Sequence, residues 1–469
     1  MSISRRRILA TAAALPAVSL LGGVSVASAA GGKTYYVAED GNDKADGTSE
    51  GAPWQSINRV NEAFVKGQIV HGDSVLFKRG QRFYGEFLRL RNVQGGDGVL
   101  TIGAYGTGEA PQILGYKILN KADAWQSAGS NLWQINLGDT NNYTGNTSSD
   151  ESKRGNVGQL WVNGEHHLNK VSSLDKLNSD WDFYSDHSSK SLTVRAPKNP
   201  AEVGEILVAV DGSIVNLAAV SNVTVQDLDL IGTGGHGVSI DSGCSGIKIL
   251  NNKIRQIGGS YTSLGVDDRT KKEKWIRYGN GIQVWIGNSD VLAEGNAIED
   301  VFDVATTIQG PQKGNFLGWK DVHFRNNRIM RCSQSFEVWS KGSNRGAGTG
   351  HQNCSFTGND CSDAGVGWGY EARTNKDEGG VHLLSYAVEL PIDLKVTGNL
   401  FVDAVNAYMY RFPGSEEHKV LGNMAVDGNT IQLKAGQKLQ QQRSETIEQH
   451  TDWSRETGFD ANSTFKIAG

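Results

Sequence analysis

The sequence predicts an all-β chain wound as a right-handed parallel β-helix, with an inserted loop-rich region and a C-terminal tail that caps the solenoid. Three observations carry this. A unit of alternating apolar and polar residues recurs from Asn222 onward, reading VTVQDLDL, IKILNNKI, VLAEGNAI, VHFRNNRI, CSFTGNDC, LKVTGNLF and KVLGNMAV. An Asn marks the same point of successive units, at Asn252, Asn296, Asn327, Asn359, Asn399 and Asn423, in steps of 44, 31, 32, 40 and 24 residues by subtraction. Glycine is abundant and proline scarce, 59 against 8, in a chain that is 38% hydrophobic, which suits many strands broken by turns and not disorder.

The repeat explains itself physically. Alternation gives each strand one buried face, and a lone strand has nothing to bury it against. Stacked coils bury it continuously, about 4.8 Å apart. An Asn at one turn of every coil tolerates a left-handed backbone and can pass side-chain hydrogen bonds between coils. A propeller would need four strands per repeat and a steadier period.

Along the chain, residues 1–29 read as an export signal. Paired arginines (Arg5, Arg6) precede an apolar run over 9–24, and Ala27-Ser28-Ala29 offers a cleavage site. The arrangement is twin-arginine-like, so the mature chain is expected outside the cytoplasm, with no membrane attachment after cleavage. Residues 30–121 read as an N-terminal cap and first coils, with strands at 34–37, 74–78, 83–90 and 99–104. Residues 122–207 break the period and carry Trp125, Trp133, Trp161 and Trp181, and read as an irregular insertion. The main coils span 208–435, and the Gln-rich tail 436–469 covers the open end, since exposed strand edges must be blocked. A net charge of −5 argues against a nucleic-acid partner. Cys244, Cys332, Cys354 and Cys361 fit no zinc spacing and read as buried thiols, with a disulfide open to an exported chain.

The strand after each turn defines a face. Aligning 235–241, 279–285, 305–309, 335–339, 370–373, 408–411 and 430–434 turns Val238, Ile282, Thr306, Phe336, Tyr370 and Tyr408 inward. One outward column is then Ser239, Gln283, Thr307, Glu337, Glu371, Met409 and Gln432. The next is Asp241, Trp285, Gln309, Trp339, Arg373, Arg411 and Lys434. Two glutamates stacked on neighbouring strands repel one another, and such a pair has its pKa values split, as glycoside hydrolysis requires. Glu337 and Glu371 are therefore the expected catalytic pair, with Asp303 as the competing partner of Glu337. Trp285 and Trp339 suit a sugar's apolar face. Arg373, Gln309, Gln283, His236, Asn280 and Arg411 suit its polar groups.

Other residues support other readings. Asp300, Asp363, Asp403 and Asp427, each four residues past its Asn, read first as turn residues and second as a Ca²⁺ site. Arg277 and Arg373 could neutralise a uronate while Tyr278 or Lys274 removes its C5 proton, which is the lyase alternative. His166-His167 reads as exposed surface.

Several stretches resemble a known group. The opening YYVAEDGNDKADGTSEGAPWQSINRVNEA, with QLWVNGE, NVTVQDLDL and YGNGIQVW, resembles the pectate-lyase-like superfamily of secreted β-helix polysaccharide lyases and glycoside hydrolases. The resemblance covers most of the mature chain. It implies an enzyme acting on a polysaccharide or oligosaccharide, with no cofactor for a hydrolase and calcium for many lyases. The carboxylates favour a hydrolase over a lyase, and both over a non-catalytic carbohydrate-binding β-helix.

Overall fold

The computed structural model describes residues 31–144, 155–266, 273–373, 376, 379–411 and 422–468; the expected export signal lies outside them. Successive coils lay one strand each into three long parallel sheets, and the chain is the right-handed parallel β-helix that the repeat predicts. One coil runs Ser289–Glu294, Ala297–Val301 and Val304–Pro311, and the next runs Gly318–Arg325, Arg328–Met330 and Gln334–Lys341. They pair in register, Val291 with Val322, Ile298 with Ile329 and Ile308 with Val338. The inward side chains form one continuous core from Tyr35 to Phe459. Aromatic rings continue the stacking inside it: Phe336 lies on Phe356 at 4.6 Å with nearly parallel planes.

The asparagine ladder is present and buried. Asn296 Nδ2 donates to Asn327 Oδ1 (2.9 Å) and to the Ile249 carbonyl (2.9 Å). Asn327 repeats this with Asn359, and Asn359 with Asn399. Two details differ from expectation. The left-handed residue is the one before each ladder Asn, namely Asn251, Gly295, Asn326, Gly358, Gly398 or Gly428; a Cβ at Gly295 would sit 2.5 Å from Asn251 Oδ1. The last rung is Asn429, not Asn423. Asn399 Nδ2 donates to Asn429 Oδ1, while Asn423 lies in the strand Gly422–Asp427 opposite Asp393. The sequence offers the same Gly-Asn pair twice, six residues apart, and only the second follows a full strand.

The segment read as irregular has an order of its own. Two antiparallel sheets form there, one from Tyr116–Ile118, Val157–Val162, Glu165–His167 and Ile206–Val210, the other from Trp125–Gly129, Leu132–Asn136, Phe183–Asp186 and Ser191–Arg195. They enclose a separate core that includes Trp125, Leu160, Phe183, Leu192 and Val208. Short antiparallel hairpins carry no coil period, which is why the repeat stops there. In the tail, Lys438–Gln440 extends one sheet, Thr464–Ala468 another, and the helix His450–Thr457 sets buried Trp453 over the open end. All four cysteines are buried free thiols.

Candidate active site

The sheet carrying the site runs through Val215–Ala218, Val238–Ile240, Ile282–Trp285, Val304–Pro311, Gln334–Lys341, Val381–Val388 and Ala407–Tyr410. Its register places Ser239, Gln283, Thr307 and Glu337 in one outward column, and Trp285, Gln309 and Trp339 in the next. Here the sequence alignment holds. It fails beyond Glu337. The strand stacked on Gln334–Lys341 is Val381–Val388, so Leu384 lies opposite Glu337 and Tyr410 lies opposite Leu384.

Glu371 is therefore not in the column. Trp368–Glu371 is a short helical turn on a wall loop, and Glu371 is exposed. Left-handed Gly365 (φ 83°) turns the chain outward there. The proposed glutamate pair does not exist. Tyr370 faces this loop, where its hydroxyl accepts from Asn406. Met409 points into the core and Tyr410 takes the outward place. Arg411 lies past the strand end, exposed, with its guanidinium 5.6 Å from the Tyr410 ring centre. Gln432 and Lys434 belong to the third sheet, within Thr430–Lys434.

The wall loop returns a different partner. Arg373 ion-pairs with Asp303 and leans over the Phe302 ring. Burial pushes the Asp303 carboxyl above its usual range, and the Arg373 charge opposes that without cancelling it. Asp303 stands just before Val304–Pro311, the strand whose Thr307 adjoins Glu337. Glu337 is only 5% exposed, and the Thr307 hydroxyl donates to its Oε2 at 3.2 Å. Asp303 thus immediately precedes the strand that pairs with the strand of Glu337.

The wall itself comes from the inserted sheets. His166 stacks on Trp161 (4.2 Å) and meets the Trp368 ring edge-on (4.7 Å). Burial lowers its pKa to about 3, so this histidine is a half-buried neutral ring and not exposed surface. Arg277 donates to the carbonyls of Gly259, Ala372 and Gly158. Burial, with Arg373 nearby, brings its pKa down to about 9. It ties insertion, hairpin and wall loop together.

His236 is half-buried, with its ring 5.2 Å from that of Tyr278. The Asn280 backbone N–H donates to His236 Nδ1 at 3.0 Å. A backbone amide only donates, so Nδ1 accepts here and the neutral ring carries its proton on Nε2. Asn280 Nδ2 donates to Gln283 Oε1 (3.3 Å). The Tyr278 hydroxyl donates to Asp211, and burial raises its pKa further. Asp211, which sequence reasoning missed, is marked only by its place at the end of the apolar strand Ile206–Val210. The side chain of Lys274 lies outside the described residues.

The acidic turn column is turn chemistry in large part. Asp300, Asp363 and Asp403 all have positive φ, and Arg331 stands between Asp300 and Asp363 and bonds both oxygens of Asp300. Asp427 lies in a strand instead. Among the described residues no three His, Cys, Asp or Glu side chains gather as a metal site.

No protein-family model matches the chain. It is similar to a lacto-N-biosidase of Bifidobacterium longum subsp. longum, 27% identical over 234 residues, which are 47% of this chain and 13% of that protein. The chain thus spans about an eighth of the length of that curated relative. Among solved structures, it resembles the GH136 lacto-N-biosidase from Eubacterium ramulus with a TM-score of 0.43 and 13% identity, covering 92% of this chain and 67% of that one. XylC in complex with xylose gives a TM-score of 0.48 and 10% identity, covering 92% and 86%. A rhamnogalacturonan lyase gives 0.34 and 10%, covering 87% and 75%.

Proposed function

We propose that this chain is a secreted glycoside hydrolase acting on a neutral oligosaccharide or polysaccharide, with Asp303 and Glu337 as its two carboxylates. One observation carries the reading: Asp303 immediately precedes the strand whose Thr307 bonds Glu337, and the outward residues beside them, Gln283, Thr307 and Gln309, are uncharged. Asp303, which burial lifts above its usual range against the opposing charge of Arg373, is the acid candidate for the leaving oxygen. Glu337, accepting from Thr307, is the second carboxyl of the pair. Residues 1–29 supply the export step, and the similarity to a lacto-N-biosidase supports sugar hydrolysis.

A lyase needs a cation for the uronate carboxylate and a base for the C5 proton. Arg373 is engaged by Asp303 and Arg277 by three carbonyls, while Tyr278 already donates to Asp211. The lyase reading, with its calcium, is therefore the weaker one. The test uses the mature protein with para-nitrophenyl glycosides of neutral sugars, a lacto-N-bioside among them, and with uronate polymers. Release of reducing sugar, lost in Glu337→Gln, supports the reading. Asp303→Asn should keep activity on the good phenolate leaving group and lose it on natural glycosides. Growth of ultraviolet absorbance from an unsaturated uronate would overturn it, and binding without turnover would leave a carbohydrate-binding β-helix.

A further inference from the structure

A directed row of hydrogen bonds crosses the groove floor and ends between the two tryptophans. Arg91 Nε and Nη2 donate to Asn216 Oδ1 (2.9 and 2.7 Å), and Asn216 Nδ2 donates to Asp241 Oδ2 (2.9 Å). The Ser239 hydroxyl donates to Asp241 Oδ1 (2.7 Å), Gln283 Nε2 to Ser239 Oγ (3.3 Å), and Gln309 Nε2 to Gln283 Oε1 (2.7 Å).

Donor and acceptor chemistry alone fixes the direction. Arginine only donates and a carboxylate only accepts. Ser239 gives its single proton to Asp241, so it must receive from Gln283. Gln283 then presents its carbonyl to Gln309, which must donate. Every bond runs toward Asp241, and the Gln309 carbonyl is left facing the groove, accepting from no described residue. Gln309 lies on the strand between those of Trp285 and Trp339, whose rings are 6.3 Å apart. Ser239 and Gln283 are buried, so water does not scramble the row.

We infer that Asp241 is a positioning residue that orients the Gln309 amide, making the Trp285–Gln309–Trp339 patch a sugar subsite that takes a hydroxyl proton on the Gln309 carbonyl. This rests on the hydrolase reading above. Replacing Asp241 by Asn keeps the shape but supplies a donor. Ser239 can then receive, Gln283 can turn over at the cost of its long bond from Asn280 Nδ2 (3.3 Å), Gln309 turns with it, and an NH₂ group replaces the carbonyl at the subsite.

The test measures calorimetric binding of the para-nitrophenyl glycoside that the wild type cleaves best, and of its monodeoxyfluoro analogues, to Glu337→Gln. A fluorine cannot donate, so at one ring position the exchange should weaken binding roughly tenfold, one hydrogen bond's worth. In Glu337→Gln/Asp241→Asn that penalty should shrink, because an NH₂ group calls for an acceptor and not a donor, and the parent sugar, whose hydroxyl can turn to accept, should keep its affinity within about threefold. Gln309→Leu in the same background should abolish the penalty, giving a second variant on an outward side chain that folding does not require. If Glu337→Gln binds none of these sugars, the hydrolase reading falls and this inference with it. If it binds them and Asp241→Asn leaves the fluorine penalty intact, the inference alone is wrong.

Discussion

His382 should make the fold acid-sensitive. Its ring is wholly inside the helix, with Nε2 3.0 Å from the Asp403 carbonyl and Nδ1 3.0 Å from Ser335 Oγ. The carbonyl only accepts, so Nε2 carries the proton and Nδ1 receives the Ser335 hydroxyl. Burial lowers the pKa from 6.5 to about 4, outweighing the Asp403 and Val402 carbonyls, which favour the charged ring. The unfolded chain binds a proton below 6.5 that the native state refuses. The stabilisation is therefore complete above about pH 6.5 and is lost as pH falls toward 4. The same linkage puts the loss at about 2 kcal/mol at pH 5 and about 3 kcal/mol at pH 4. His382→Gln keeps a donor and an acceptor but does not titrate. Urea unfolding at pH 7 and pH 5 should show the variant losing about 2 kcal/mol less than the wild type over that interval. Equal losses would refute the reasoning. His351, also buried and pushed down to about 4, adds a parallel loss in both proteins and cancels from the comparison.

Three further outcomes follow from the same geometry. Asn327→Ala removes the acceptor of Asn296 Nδ2 and one donor to Asn359; it should destabilise by about 2–4 kcal/mol in a urea titration, since buried polar groups lose their partners. Trp339→Ala should raise KM roughly tenfold and leave kcat within about threefold, as expected for a ring that only binds sugar. Arg373→Met removes the charge that opposes burial at Asp303. The Asp303 carboxyl then rises further, and the alkaline limb of the kcat/KM profile should move to higher pH.

The fold was readable because the coil period is written in residues that do one job. The apolar alternation and the Asn turn recur wherever a strand must stack, and the inward set Val238, Ile282, Thr306 and Phe336 follows from period two. The site was half readable. Ser239 to Glu337 and Asp241 to Trp339 were placed by that period, because every coil there keeps its register. Glu371 was misplaced because its YEAR segment alternates like a strand, while a left-handed glycine five residues before Tyr370 sends the chain out of the sheet. Asp303 gained its weight from Arg373, a contact across 70 residues that no local pattern contains. The inserted sheets escaped for the opposite reason: their hairpins share no period with the coils, and their core is separate.

The ladder's final rung has a consequence for how the solenoid ends. Each Asn of the row presents to the next coil the same chemistry it receives, so the row is self-templating, like a growing polymer with a reactive end. Asn429 meets something else: its N–H is taken by Ser463 Oγ and its Nδ2 by Asp460 Oδ1. Neither residue carries an amide to hand on, so the tail acts as a chain terminator. The tail thus satisfies, with a hydroxyl and a carboxylate, the two donors that a further coil would otherwise meet with another asparagine.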